Sequence, residues 1–468
     1  MNTNFCNIPV FQKEEESTIY QKDISNLLIF MQQFHPMPML DENRFEIIKV
    51  KAKELYNQYG TDRETKLSDF QANLNKWLAL FEDAHSLVML EDKDLYPYTM
   101  RYYNGDFFFH TLSSAYPNCT GKKIVSINGL QIKDLIQKLD SCIPSENKIK
   151  AGITGSFFMN HKAFLNLLGI DTHSELKFTF GDGSEIKIKT ANQNVAQNNH
   201  VVKVDKHPIT AREENAFHYK IVNNKCYLQF NTMIDQFSYN EGCRFMEIEP
   251  DTQILQSLPK FCDFLEEMSN DMKCKNITTL VVDLRYNGGG NSLLGDILLK
   301  FLGVEIEKIH QYTTYTRYSD FLESCYPVLF RQINKECNIG SLINQKELGI
   351  DSVKRPELKS SFEGKVYFIQ GQNTFSSANY LLTLIKDNAL FPIIGTPTSQ
   401  KPSCFGDVLP IQLPFTKTKG YISFAYFERP NKENSNNSLF PDIFIETTLD
   451  DYLSGKDACW DYIIQHNP

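Results

Sequence analysis

At 468 residues the chain is too long for one compact core, so two or three domains are expected. With 41% hydrophobic and 22% charged residues it has the composition of a soluble globular protein. A net charge of −9, with no basic stripe interleaved with aromatics, argues against nucleic acid as a partner. Eleven cysteines are scattered without a CxxC pair or zinc-like spacing, so a reducing compartment is the simpler reading than a disulfide framework. The N-terminus "MNTNFCNIPVFQKEEESTIYQ" lacks a basic segment followed by an apolar one, and no apolar run nears the roughly 18 residues of a membrane span. A cytoplasmic chain without a membrane span is therefore expected.

Residues 1–95 read as a helical region. Phe45, Ile48, Ala52, Leu55 and Tyr59 form one apolar face that ends at Gly60. Leu67, Phe70, Leu74, Trp77, Leu78 and Phe81 form a second, which runs directly into "EDAHSLVML". From 96 to 190 the pattern changes to short strands and turns. "GKKIVSINGLQIKDLIQKL" predicts a strand, an Asn-Gly turn, a short strand and a helix; "ELKFTFGDGSEIKIKT" predicts a hairpin around Gly181-Asp182-Gly183. The polar stretch around "ANQNVAQNNH" makes 191–214 the expected linker.

From 215 to 468 strands and helices alternate. "KCYLQFNTM" is a strand, and Leu258, Phe261, Phe264, Leu265 and Met268 mark a helix. "ITTLVVDLRYNGGG" is an apolar strand ending in a glycine loop before the helix "SLLGDILLKFL", and "KVYFIQGQNTFSSANYLLTLIKD" repeats that unit. The fold class is α/β, with a buried sheet flanked by helices.

Three places could carry chemistry. Ser376 sits where a strand gives way to a helix, close to unpaired amides and the positive end of the helix dipole, which suits a nucleophile. Ser376 or Ser377 could equally cap that helix. The "NGGG" loop lets backbone amides converge on one spot, as an oxyanion hole requires, or simply makes a tight turn. It lacks the lysine of a phosphate loop. A general base is the third requirement. Lys401, beside Pro402, could serve only if its pKa fell from about 10.4 towards 7, a change worth about 4 kcal/mol. His85 is the rival, since partners of a catalytic serine are commonly remote in sequence.

The ordered set "DAHS", "VVDLRYNGGG", "TFSSAN", "GTPTSQK" and "FPDIFIETTLDDYLSGKD" resembles the C-terminal processing (tail-specific) serine peptidases, with their tricorn-core and interphotoreceptor-retinoid-binding-protein-like relatives. The likeness runs over about residues 40–465 and is weakest between 100 and 210. It implies a crotonase-like core, with an insert similar to the second half of a PDZ domain, or a cap, over 96–190. It further implies a serine endopeptidase acting on polypeptides or protein tails, with no metal or organic cofactor. Ser376 falls on the family's nucleophile, and Lys401, 25 residues later, on its general base. The amides of Gly289 or Gly290 and of Ser377 would make the oxyanion hole, while Asp283, Arg285 and Asn287 would support the loop. Gln400 stands where the family has glycine, Phe405 where a glutamine orients the lysine, and Asn379 where an acidic residue follows the nucleophile. In the tricorn-like branch the base is a histidine in the motif around His85, preceded by serine where this chain has Ala84. Ser-His catalysis thus stays open, as do a non-catalytic peptide- or ligand-binding relative and a coenzyme-A-dependent acyl transferase.

Overall fold

The computed structural model describes residues 5–466 except 13–16, 61–64, 92–94, 117, 174, 190–198, 332–339, 346–352 and 354. The chain is a mixed α/β protein, and its described residues form three sheets. The central sheet runs in the order Phe217–Val222, Lys225–Phe230, Thr279–Asp283, Lys365–Gln370, Ile393–Gly395, Ile443–Phe444. Its first two strands form an antiparallel hairpin through Asn223 and Asn224, both at positive φ as a tight two-residue turn demands. The remaining pairings are parallel.

Strand alternation explains why these segments read as continuous apolar runs, because both faces are covered. Leu228, Val282, Phe368 and Ile393 meet the helices Phe261–Cys274, Leu293–Phe301 and Ser377–Asp387. Tyr227, Val281, Ile369 and Ile394 face Cys459, Trp460 and Ile463 of the helix Ala458–His466. Since Thr279–Asp283 and Lys365–Gln370 are parallel neighbours, the glycine loop and the serine loop leave the sheet side by side. At the carboxyl ends of such strands ligand sites are built.

A second sheet centres on the long antiparallel pair Cys404–Gln412 and Lys419–Glu428. The expected N-terminal helices, Glu42–Gln58 and Leu67–Leu78, pack on it, joined by the helix Ile19–Phe34. They share one core with its strands, Leu409, Ile411 and Ile422 lying among Phe30, Phe45 and Trp77. The strand Leu87–Val88 pairs with Gly420 and Tyr421, which pins the "DAHS" turn to this sheet.

The insert carries the third sheet and its own core, including Phe107, Phe109, Phe178 and Leu135. Its Asn-Gly turn lies between Lys123–Ile127 and Leu130–Gln131, leading into the helix Ile132–Asp140, and its hairpin joins Leu176–Phe180 to Glu185–Ile188. Two further helices, Lys148–Phe158 and Lys162–Leu167, stand where only strands and turns were expected. The first hides in the sequence behind two glycines, present for close packing. A Cβ at Gly152 would come within 2.6 Å of the Tyr102 ring, and one at Gly155 within 2.9 Å of Leu139. Of the expected linker, 191–198 lies outside the described residues, whereas Asn199–Val201 pairs with Thr111–Ser113 as an edge strand of the insert.

Candidate active site

Ser376 occupies the turn between the strand Lys365–Gln370 and the helix Ser377–Asp387. Thr374 braces this turn, its hydroxyl accepting from Gly371 N (3.1 Å) and donating to Leu284 O (2.9 Å). Phe375 N donates to Asn287 O at 3.0 Å, tying the serine loop to the glycine loop. These bonds hold Ser376 at φ 55°, ψ −129°, a conformation that costs a residue with a Cβ on the order of 1–3 kcal/mol. The strain lifts the side chain out of the turn. It makes no capping bond to the helix it precedes; its Oγ lies 3.2 Å from His85 Nε2.

His85 is set by a buried carboxylate. After the short 3-10 turn Ala79–Phe81, Glu82 adopts a left-handed conformation (φ 48°) and Asp83 Oδ1 accepts from His85 N at 2.9 Å. Asp83 Oδ2 accepts from the Ser86 hydroxyl and from His35 Nε2 (3.1 Å). The His35 proton is on Nε2, because its Nδ1 accepts from Met37 N. The His85 ring stacks obliquely on Phe375, 4.6 Å between centroids. Burial pushes its pKa down to about 4, with Lys150 acting the same way and Asp83 and the Phe405 backbone opposing. His85 is therefore neutral at pH 7, as a proton acceptor must be. Its Nδ1 is buried and makes no hydrogen bond, Asp83 Oδ1 standing 3.8 Å away.

Lys401 is placed differently from the sequence expectation. Its ammonium pairs with Glu82 Oε2 at 2.7 Å, while Ser376 Oγ faces His85. Burial pushes the Glu82 carboxyl up, but Arg44 and Lys401 together hold it below its ordinary value. What the Lys401 segment brings to the serine is Gln400, whose Oε1 accepts from Ser376 N at 2.5 Å.

The glycine loop divides its tasks. Gly289 (φ 101°) provides clearance, since a Cβ there would lie 2.5 Å from Ser376 Cβ. Its amide donates to Asn287 Oδ1 at 2.8 Å, so this glycine is no free oxyanion donor. Gly290 (φ 138°) could not carry a Cβ either, which would sit 2.3 Å from Met233 O. Among the described residues the amides of Gly290 and Ser377 have no acceptor, and Ser377 Oγ donates to Gly290 O at 2.8 Å, fastening the two segments together. Asn287 also donates to Phe230 O. Arg285 bridges Asp283 and Asp457, and Tyr227 donates to Asp283 at 2.6 Å. Asn287 thus holds the loop, while Asp283 and Arg285 brace the strand end from which it leaves.

Three neighbours were not anticipated as site residues. Asp83 is part of the quoted "DAHS". The other two come from the insert. Glu146 is buried, its Oε2 accepting from Lys401 N at 2.8 Å, and Lys150 holds its ammonium 3.5 Å above the Phe375 ring. One polar atom from each of Asp83, His85 and Glu146 lies within 4.8 Å of the others.

A histidine nitrogen 3.2 Å from the hydroxyl of a strained serine, beside two unengaged amides, is an arrangement suited to acyl transfer, and the match to a peptidase family makes the chain a serine-type peptidase. In comparison with known proteins, residues 234–436 match the model of peptidase family S41. No curated protein matches the sequence. Among solved structures, a serine-to-alanine mutant of CPAF is similar with a TM-score of 0.63 at 14% identity, covering 96% of this chain and 98% of that one. Mature CPAF gives 0.60 at 14% identity over 95% of each chain. Mature CPAF complexed with lactacystin gives 0.58 at 14% identity over 96% of this chain and 97% of that one. At such identity the likeness is one of fold. No helix among the described residues is long and apolar enough to cross a membrane.

Proposed function

We propose that this protein is an endopeptidase that cleaves polypeptide chains through an acyl-enzyme, with Ser376 as nucleophile and His85 as general base. The contact of Ser376 Oγ with His85 Nε2 carries this reading. The hydroxyl proton passes to Nε2 as Oγ attacks the peptide carbonyl. The amides of Gly290 and Ser377 receive the oxyanion, and His85 returns the proton to the leaving amine. Water then repeats the cycle on the ester. The Ser376–Lys401 dyad is set aside, because Lys401 would have to leave Glu82 and lose its proton. A reducing, cytoplasmic setting is part of the same reading, on the ground that the cysteines are scattered without the spacing of a disulfide framework.

Fluorophosphonate labelling followed by peptide mass spectrometry tests the nucleophile. The adduct is expected on Ser376 and to vanish in Ser376→Ala. Both Ser376→Ala and His85→Ala are expected to lower kcat/KM at least about a thousandfold with the fold intact. A well-folded protein that takes no label and cuts no peptide would overturn the reading in favour of a binding protein.

A further inference from the structure

The base is half-supported by the residues around it. For Nε2 to accept the serine proton, the ring proton of neutral His85 must sit on Nδ1, and a buried N–H needs an acceptor. Asp83 is the nearest carboxylate in sequence, yet it already receives the His85 amide, the Ser86 hydroxyl and His35. Its Oδ1 is 3.8 Å from Nδ1, beyond hydrogen-bond reach, and the Phe405 backbone that also faces the ring makes no well-formed bond to that nitrogen. A second carboxylate has an oxygen to spare. Glu146 is 4% exposed; its Oε2 holds the Lys401 amide, whereas its Oε1 is buried without a partner. Nδ1 of His85 and Oε1 of Glu146 are thus two unsatisfied buried atoms of complementary kind, on two side chains that each bring one nitrogen or oxygen into a cluster no wider than 4.8 Å. Leaving such atoms unpaired is unfavourable, and one hydrogen bond between them satisfies both.

We propose that Glu146 is the positioning residue of His85, and that the insert, by delivering it, completes the catalytic pair only while seated on the core. This rests on the Ser376–His85 reading above. The seat is built next door. Asn147 Nδ2 donates to Asn437 O at 2.8 Å and to Ser438 Oγ at 2.9 Å. Its Oδ1 caps the insert helix Lys148–Phe158 by accepting from Lys150 N. A second tie lies four residues ahead of the nucleophile, where Gln372 accepts from Asn104 N (2.8 Å) and donates to Tyr102 O (3.0 Å). A polypeptide that lifts or seats the insert therefore sets the base at the same moment.

The arrangement also makes the pair sensitive to pH. Glu146 faces Asp83 and His85 from the "DAHS" turn, Lys150 from the helix that follows it, Cys404 and Tyr426 from the second sheet, and Lys401 from the loop that enters that sheet. Burial, with Asp83, pushes its carboxyl up to about 8, against Lys401 and Lys150. A protonated Glu146 donates to Nδ1 and leaves the proton on Nε2, the wrong tautomer for a base; an ionised one accepts from Nδ1–H. Activity should therefore climb with pH through a limb near 8 that belongs to the coupled pair.

The test is the pH profile of kcat/KM for the full chain, wild type against Glu146→Gln and Asn147→Asp, with His85→Ala as the reference. Glu146→Gln is expected to lower kcat by 100-fold or more with KM little changed, and to abolish the limb near 8. Asn147→Asp keeps the helix cap but sets a carboxylate against Asn437 O. It is expected to lower kcat about tenfold while keeping the limb. A low-field ring N–H proton resonance from His85, recorded in Ser376→Ala and lost when Glu146→Gln is added, reads the same bond without any activity. If His85→Ala stays active, the reading of the base fails and the proposal falls with it. If His85→Ala is dead but Glu146→Gln keeps the wild-type profile and resonance, only the role of Glu146 is overturned.

Discussion

The two sides of the candidate site are built in opposite ways. The nucleophile side comes from adjacent parallel strands and the two loops that leave them, all within the segment matched by the family model. Its parts are fastened by backbone and by short side chains: Thr374, Asn287, Ser377 and the clearance at Gly289. The base side is gathered from outside that segment. His85 hangs from the N-terminal region on the second sheet, and Glu146 and Lys150 arrive from the insert. A candidate nucleophile and pair of amides held by local bonds thus meet a candidate base assembled from two other parts of the chain, the N-terminal region and the insert. Damage to the first side should be absolute, whereas damage to the second should be graded and pH-dependent.

The sharpest way to break that contrast is at Gly289. A methyl group there would lie 2.5 Å from Ser376 Cβ and 3.0 Å from Ser377 N, at a φ that only glycine adopts freely. Gly289→Ala is expected to cost about a thousandfold in kcat/KM at every pH, because serine and oxyanion donor shift together. The rate of fluorophosphonate labelling should fall in parallel. A loss that high pH restores would mean the two sides are not separable.

Arg285→Ala probes the same side through stability. It strips the partner from the buried carboxylates of Asp283 and Asp457, a loss worth about 3–5 kcal/mol, read as a lower Tm. Although burial acts to raise it, the Asp457 carboxyl is held at about 2 by Arg285 and by hydrogen bonds, below its ordinary 3.8. Its contribution is therefore complete above pH 3.8 and drains away as pH falls through 2. Denaturation curves of the wild type should weaken over that window. The variant should show less of this slope.

How far the sequence reveals each side follows from the same contrast. Local patterns determine the nucleophile side: apolar runs that end in "NGGG" and "TFSS" place two loops at one sheet edge once the strands are parallel. His85 could be singled out only as a rival, since pairing with Ser376 spans 291 positions. Lys401 shows the limit of spacing. The interval from Ser376 matches the family and brings the backbone to the site, where Gln400 and the Lys401 amide are used. Where the ammonium goes is decided by Glu82, whose left-handed turn no count of residues reveals. Glu146, 255 positions from Lys401, carries no local signal at all, and the helix that follows it is masked by glycines serving Tyr102 and Leu139.

The smallest expected effect is the most discriminating. Lys401→Ala removes the ammonium but keeps the amide that holds Glu146 Oε2. If the base is His85, kcat at high pH should stay within about threefold of wild type, since an exposed ion pair with Glu82 is worth little. The limb near 8 should nonetheless move upward. Lys401 is one of two cations that hold the Glu146 carboxyl down, and without it Glu146 keeps its proton to higher pH, prolonging the wrong tautomer of His85. A modest alkaline displacement at nearly constant maximal rate would thus tie Lys401 to the base through Glu146. A collapse of kcat at all pH values would instead return the proton to Lys401 and erase the distinction between the two sides.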